Sequence, residues 1–176
     1  MIPRDPEALP PLELHEDQII AALSQRQVEY VLVGGGALIA HGIIGRETFD
    51  VDIVPNPEAR NLERLGEALR DLDSRVVTLW DHVRQEMHVD ESTLEPEVFT
   101  TNRILHLLTR AGLVDVLMAP EGAERGFEQL APEARRLPFA GADVATAGIP
   151  DLIRMKEAAN RPKDLLDLEH LRAQSG

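Results

Sequence analysis

Three aspartates have the residue type and the spacing that hold a divalent cation. Asp50 and Asp52 lie two residues apart in TFDVDIV (48–54), a segment that alternates as a strand does, so both carboxylates project from one face. Asp115 is a lone acid in the apolar segment LVDVL (113–117), where a charge must be paired or bound to a metal. Carboxylate oxygens suit Mg²⁺, which completes its shell with substrate phosphates. The pattern predicts a magnesium site; the alternatives are a solvated strand edge for the pair and a salt bridge for Asp115.

A run of three glycines, Gly34, Gly35 and Gly36, follows the apolar segment YVLV (30–33) and precedes a short apolar helix. Glycines between a strand and a helix let phosphate oxygens approach the backbone N–H groups at the positive end of the helix. The run has neither the spacing of a dinucleotide fingerprint nor the Gly-Lys-Ser/Thr of a P-loop. It therefore indicates a phosphate cradle or, equally, a tight turn that binds no ligand.

Arg46 and Thr48 extend the strand of Asp50 backwards on the same face, if that strand begins early. Arg46 is thus a candidate for contact with phosphate, and a structural ion pair to an aspartate is the alternative. We count both residues among the candidate nucleotide-binding residues.

A second basic group, formed by Lys156, Arg161 and Lys163, lies near two predicted helix ends. Such a cluster can clamp a triphosphate, and we take Lys156 and Arg161 as candidate nucleotide-binding residues. The alternatives are solvated helix faces, or local pairing of these bases with Asp164 and Asp167.

Other site chemistries find little support in the sequence. The absence of cysteine excludes disulfides, thiolate-bound metals and cysteine nucleophiles. No HExxH or G-x-S-x-G segment occurs. The six histidines, at positions 15, 41, 82, 88, 106 and 170, show no metal-ligand spacing.

The composition bears on partners and location. The 176 residues include 31 acids and 18 bases, a net charge of −13, with one Trp, one Tyr and four Phe. This balance argues against a protein whose main task is to grip nucleic acid, which needs a basic face and stacking side chains. The first residues lack the apolar stretch of a secretory signal, and no apolar run approaches the roughly 18 residues of a membrane span. We expect a cytoplasmic protein with no membrane contact.

The elements that must position the candidate residues alternate between strand and helix. The apolar patterns predict strands over 30–33, 48–54, 75–80, a hairpin of 104–109 with 113–118, and an edge strand over 144–149. They predict helices over 14–28, 37–41, 58–72 and 121–131, one opening at Pro150, and one opening at Pro162 with Leu165, Leu168 and Leu171 inward. Residues 81–97 lack periodicity and predict an irregular, mobile excursion.

These elements predict an α/β fold with a mixed sheet of about 4–6 strands, flanked by helices and finished by a C-terminal helical segment. We expect a single domain over 1–176: an extended arm (1–13), a catalytic sheet core (14–149) and C-terminal helices (150–176).

The segment YVLVGGGALIAHGIIGRETFDVDIV, with a third aspartate on a later strand, resembles the nucleotidyltransferase superfold of the polymerase-β type. It is similar to small bacterial nucleotidyltransferases related to AbiE-type toxins, and DLIRMKEAANRPKDLLDLEHL resembles their C-terminal helical segment. The resemblance covers about half of the chain. It implies that the glycines cradle a triphosphate and that Asp50, Asp52 and Asp115 bind two Mg²⁺ ions, with Asp115 as metal ligand or base. The commoner motif has Gly-Ser, and this chain offers only glycine, which leaves the register of the motif open by one residue.

The resemblance further implies Mg²⁺-dependent transfer of a nucleoside monophosphate from an NTP to an acceptor hydroxyl. A toxin–antitoxin or phage-defence setting, with a tRNA acceptor and an antitoxin partner, is one expectation. The acidic charge favours a small-molecule or protein acceptor instead. Two alternatives remain: a non-catalytic nucleotide-sensing module on the same fold, and an antibiotic-modifying adenylyltransferase, with which the charge of −13 is compatible.

Overall fold

A computed structural model describes residues 13–43, 45, 47–81, 86–90 and 93–176. Its strands are β1 (Tyr30–Val33), β2 (Asp50–Pro55), β3 (Arg75–Asp81), β4 (Glu86–Asp90), β5 (Ile104–Thr109), β6 (Gly112–Leu117), β7 (Arg135–Phe139) and β8 (Ala142–Thr146). All eight belong to one mixed sheet, in the order β4-β3-β5-β6-β2-β1-β8-β7.

Helices flank this sheet and close the chain. They are α1 (Glu16–Gln25), α2 (Gly34–Ala40), α3 (Ala59–Asp71), α4 (Pro96–Thr100), α5 (Phe127–Leu130), α6 (Ile149–Ala159) and α7 (Pro162–Ser175). A single 3-10 turn, Ala131–Glu133, follows α5. No helix in the described part of the chain is both long and apolar enough to cross a membrane.

The centre of the sheet brings together segments that are distant in sequence. β2 pairs antiparallel with β1 and parallel with β6, so that Asp52 lies opposite Val33 on one side and Asp115 on the other. β5 and β6 form an antiparallel hairpin in which His106 lies opposite Asp115. One row across three neighbouring strands therefore carries Asp52, Asp115 and His106.

Strand alternation separates the core from this row. In β2, Val51 and Ile53 are fully buried and belong to the hydrophobic core, whereas Asp50 and Asp52, which alternate with them, are half-buried. The same core contains the apolar faces of α1 and α3, among them Leu23 and Leu65. Burial of apolar surface on one face fixes the register of β2, because a shift by one residue would place both carboxylates in the core.

The C-terminal helices α6 and α7 pack against each other. The prediction that Leu165 faces inward is wrong, since it is 60% exposed, while Leu168 and Leu171 are buried as predicted. The inward stripe of α7 instead begins with the buried Asp164 and Asp167, at the spacing of one helical face. Ion pairs to α6, described below, hold these acids inside.

The predicted fold class is confirmed: the structure is a mixed α/β sheet with flanking helices and a C-terminal helical segment. The sheet has eight strands, more than the predicted 4–6. β7 was missed because RRLPF carries two arginines and a proline, which an edge strand tolerates and an interior strand does not. Since β7 is the edge, the predicted edge strand near 144–149 is an interior strand, β8.

Three further predictions need correction or lie outside the described residues. The irregular excursion predicted over 81–97 contains β4, which pairs antiparallel with β3, and the start of α4; residues 82–85 and 91–92 are not described. The helix predicted over 121–131 shrinks to α5, because Gly126 adopts a positive φ of 57° before it. The extended arm predicted over 1–13 lies outside the described residues except for Glu13.

Candidate active site

The carboxylates of Asp50, Asp52 and Asp115 converge. One oxygen from each lies within 4.8 Å of the others, which is a spacing that one or more metal ions can span. The parallel register of β2 and β6 causes this, because it places Asp52 beside Asp115, with Asp50 one step along the same face of β2. The three acids predicted from the sequence therefore form one cluster.

Electrostatic repulsion within the cluster appears most clearly at Asp52. Burial raises the pKa of its carboxyl well above the ordinary value, and the charges of Asp50 and Asp115 and a hydrogen bond with Asp115 raise it further. Lys156 opposes these effects from nearby. Three carboxylates in this arrangement require a cation or a shared proton.

Gly34 leaves room for the Asp52 carboxylate because it has no side chain. A Cβ built on Gly34 would lie 2.0 Å from Asp52 Oδ2, and the φ of Gly34 is +66°. Any other residue here would displace the carboxylate and strain the backbone. Gly34 opens α2, and the buried Gly35 and Gly36 continue its first turn, so the N-terminal end of this helix adjoins the acidic cluster.

His106 is a residue of the site that the sequence analysis missed. Its Nδ1 lies 2.7 Å from Asp115 Oδ1, and both side chains are largely buried. The signal was present in the hairpin: a two-residue turn, Arg110–Ala111, fixes the register of β5 and β6 and places position 106 opposite position 115. Metal-ligand spacing along the sequence does not detect such a cross-strand pair.

Lys156 is buried, unlike a lysine on a solvated helix face. Its Nζ lies 3.1 Å from Asp164 Oδ1 and 3.0 Å from Asp167 Oδ2, and all three side chains are nearly inaccessible to solvent. Asp164 also accepts hydrogen bonds from Arg161, at 3.0 Å from the backbone N and 2.9 Å from Nε. The two predicted nucleotide-binding bases of the C-terminal segment are thus held in ion pairs with α7.

Lys163 is the more exposed cation of the same segment. Partial burial lowers the pKa of its ammonium, and the nearby charges of Arg161 and Lys156 lower it further, while Asp50 acts in the opposite direction. Lys163 is exposed and lies within electrostatic reach of Asp50. The sequence analysis noted Lys163 in the basic group without taking it as a binding residue.

The two remaining candidates differ in what the structure says of them. The Thr48 hydroxyl donates a 2.8 Å hydrogen bond to the backbone carbonyl oxygen of Asp50, which makes it a local brace at the start of β2. Arg46 lies outside the described residues.

The donor set fits magnesium. It consists of three carboxylates, with no sulfur or nitrogen ligand among the three converging groups, and hard oxygen donors are those that Mg²⁺ prefers. Burial and the charges of Asp50 and Asp115 raise the pKa of Asp52, and a cation bound here would favour its ionised form.

Comparison with known proteins adds evidence at the level of the fold. The sequence matches no protein-family model and no curated protein. The solution structure of the antibiotic-resistance factor ANT(2'')-Ia is similar, with a TM-score of 0.56 and 18% identity over 90% of this chain and 80% of that chain. The fold is that of a nucleotidyltransferase. A crystal structure of ANT(2'')-Ia in complex with adenylyl-2''-tobramycin gives the same TM-score, at 19% identity over 90% of this chain and 85% of that one.

Proposed function

We propose that this protein is a Mg²⁺-dependent nucleotidyltransferase that moves a nucleoside monophosphate from an NTP to an acceptor hydroxyl. The observation that carries the proposal is the convergence of Asp50, Asp52 and Asp115 to within 4.8 Å beside the start of α2. Similarity to ANT(2'')-Ia structures supports it at the level of the fold.

Asp50, Asp52 and Asp115 would hold the two magnesium ions. Bound there, magnesium supplies electrostatic stabilisation of the α-phosphorus transfer and of the departing pyrophosphate. The chain's own residues do the positioning: Gly34 gives room for the Asp52 carboxylate, and the first turn of α2, with Gly35 and Gly36, offers backbone N–H groups to phosphate oxygens.

Lys163 is the cation that we assign to the triphosphate. It is exposed and lies within electrostatic reach of Asp50, whereas Lys156 is buried in contact with two carboxylates. In this proposal Lys156 and Arg161 act indirectly, since their ion pairs to Asp164 fix the first turn of α7 and hence the place of Lys163. Arg46 and Thr48 remain candidate nucleotide contacts.

For the acceptor we propose a cationic small molecule. A net charge of −13 favours a positively charged acceptor over a polyanion. The complex of ANT(2'')-Ia with adenylyl-2''-tobramycin supports the same class of acceptor. A tRNA acceptor in an AbiE-type setting with an antitoxin, or a protein acceptor, is the competing proposal and rests on the sequence resemblance.

The test is a transfer assay with four α-labelled NTPs, Mg²⁺ and two acceptors, tobramycin and total tRNA. We expect pyrophosphate release and label on the cationic acceptor, and neither with Asp52→Asn. Label on tRNA alone would overturn the assignment of a cationic acceptor but would still support nucleotidyltransferase activity. Binding of NTP without pyrophosphate release would favour the non-catalytic sensing module.

A further inference from the structure

His106 and Asp115 form a hydrogen bond across the β5–β6 hairpin that the proposed chemistry does not yet use. The ring lies directly opposite Asp115 in the register, and Nδ1 to Oδ1 is 2.7 Å. Asp52 lies on the other side of Asp115 in the same row. His106 therefore occupies the end of the acidic cluster away from β2.

The direction of this hydrogen bond follows from the chemistry of the partners. An ionised carboxylate only accepts, so the imidazole must donate its Nδ1–H to Asp115 Oδ1. In the described part of the chain, this is the one nitrogen that hydrogen-bonds the Asp115 side chain. The hydrogen bond between Asp115 and Asp52 joins two proposed metal ligands, so His106 is the donor from outside the cluster that sets the rotation of the Asp115 carboxylate.

We propose that His106 is a positioning residue, which holds Oδ1 of Asp115 through Nδ1–H and thereby fixes the orientation in which the Asp115 carboxylate would meet the metal ions. The proposal rests on the proposed nucleotidyltransferase function, because it assumes that the ions bind at Asp115. His106 is not one of the three converging groups, so its role is distinct from that of the proposed ligands. Groups that orient a metal ligand in this way typically change metal affinity or activity about 10–100-fold when removed.

Three substitutions of His106 distinguish the role of Nδ1 from that of Nε2. His106→Asn carries its amide N–H close to the place of Nδ1, and His106→Gln carries it close to that of Nε2. His106→Leu keeps comparable bulk with no donor. The readouts are Mn²⁺ affinity in the presence of a non-hydrolysable ATP analogue, measured by electron paramagnetic resonance, and kcat and KM for transfer.

We expect His106→Asn to keep Mn²⁺ affinity and kcat within about threefold of wild type, and His106→Leu and His106→Gln to lose about 10–100-fold in both. The melting temperature of the metal-free protein serves as the control for folding. If His106→Leu does not fold, the contrast between Asn and Gln still decides.

Two outcomes would overturn the proposal. Equal Mn²⁺ affinity in all four proteins would show that Asp115 needs no orienting donor. Wild-type Mn²⁺ affinity with kcat lost in His106→Asn would instead assign the ring to proton transfer. In both cases the wild-type protein binds Mn²⁺ together with the nucleotide and transfers the nucleoside monophosphate, so the proposed function stands. Absence of Mn²⁺ binding by the wild-type protein would overturn both the proposed function and the positioning role of His106.

Discussion

Gly34 and Asp52 approach so closely that a side chain on the glycine and the carboxylate cannot both keep their places: a Cβ on Gly34 would lie 2.0 Å from Asp52 Oδ2. The glycine is therefore tied to the acidic cluster as well as to the turn into α2.

Gly34→Ala should abolish nucleotide-dependent metal binding and transfer, because Asp52 must move away from Asp50 and Asp115. The positive φ at Gly34 adds a backbone cost of about 1–2 kcal/mol. Isothermal titration with Mn²⁺ and ATP, together with urea unfolding, measures both effects.

Gly42→Ala is the matched control. Gly42 has a φ of +84°, so alanine bears the same kind of backbone cost, but no atom lies within 4 Å of its Cβ position. We expect a similar fall in the free energy of unfolding, with metal binding unchanged. Equal loss of binding in both variants would mean that strain in the turn, and not contact with Asp52, controls the site.

Asp52→Asn should stabilise the protein in metal-free buffer at neutral pH. Burial and the neighbouring acids raise the pKa of Asp52 in the folded state, so the folded state disfavours its ionised form. Below the unfolded pKa of about 3.9 the carboxyl is protonated in both states and costs nothing. The penalty grows as pH rises from there to the folded pKa and is constant above it.

The measurement is urea unfolding in EDTA between pH 3.5 and pH 8. The advantage of Asp52→Asn over wild type should appear as pH rises and vanish at the acid end. Asp73→Asn removes the same charge from an exposed side chain and should show no such trend. A variant less stable than wild type at pH 7 would identify Asp52 as a structural ion-pair partner.

Asp164→Asn should destabilise the protein by about 1–3 kcal/mol, because the buried Lys156 loses one of its two carboxylate partners and keeps the other. Burial alone would raise the pKa of Asp164, but the hydrogen bonds from Arg161 and the charge of Lys156 outweigh it and lower the net pKa. The stabilisation is therefore present above the unfolded pKa of about 3.9 and is lost as pH falls through the folded value.

Glu157→Gln provides the comparison for this buried network. Glu157 pairs with Arg172 at 2.7 Å, and both side chains are more than half exposed, so its removal should cost about 0–1 kcal/mol. Chemical unfolding at pH 7 and near pH 3 compares the two variants. If Asp164→Asn matched Glu157→Gln at pH 7, the network would be no stronger than a surface pair.

Mg²⁺ and an NTP together should raise the melting temperature far more than either alone. A triphosphate brings about four negative charges to a site that already holds three carboxylates, so it binds well only with cations between them. At a ligand concentration about 100-fold above Kd, linkage contributes about 2.7 kcal/mol, or roughly 5–10 °C for a chain of this size.

A thermal-shift grid of four NTPs with and without Mg²⁺ tests this synergy. Asp50→Ala should erase it, and Lys163→Ala should weaken the nucleotide contribution, whereas Arg172→Ala on the exposed end of α7 should leave it intact. An unchanged melting temperature across the whole grid at millimolar nucleotide would contradict the proposed function.

Much of the site follows from local rules of the sequence. The two-residue alternation of Asp50 and Asp52 fixes their common face, and the glycines mark the turn into α2. The alternation of residues along a strand does not predict which other strand it pairs with. The parallel register that brings Asp115 beside Asp52 depends on the whole sheet, and no local pattern encodes it.

The missed strand β7 and the wrong orientation predicted for Leu165 have a common physical origin. In both segments the positions of polar residues depend on contacts with other parts of the chain. The two arginines and the proline of β7 disfavour an interior strand, but an edge strand accommodates them because one of its sides forms no ladder hydrogen bonds. By residue type, Asp164 and Asp167 are expected on the surface of α7. In the structure their ion pairs with the buried Lys156 allow them to be buried, and Leu165 lies on the exposed side of the helix. Hydrophobic periodicity alone cannot detect such compensated charges.

The parallel pairing of β2 with β6 also has a consequence for how the protein is made. On the order of sixty residues separate the two strands, so the loop between them must close before Asp52 meets Asp115, and contacts of this range form slowly. A nascent chain that has released β1, α2 and β2 from the ribosome still lacks the third carboxylate. The cluster of three carboxylates is therefore complete only after β6 has joined the sheet.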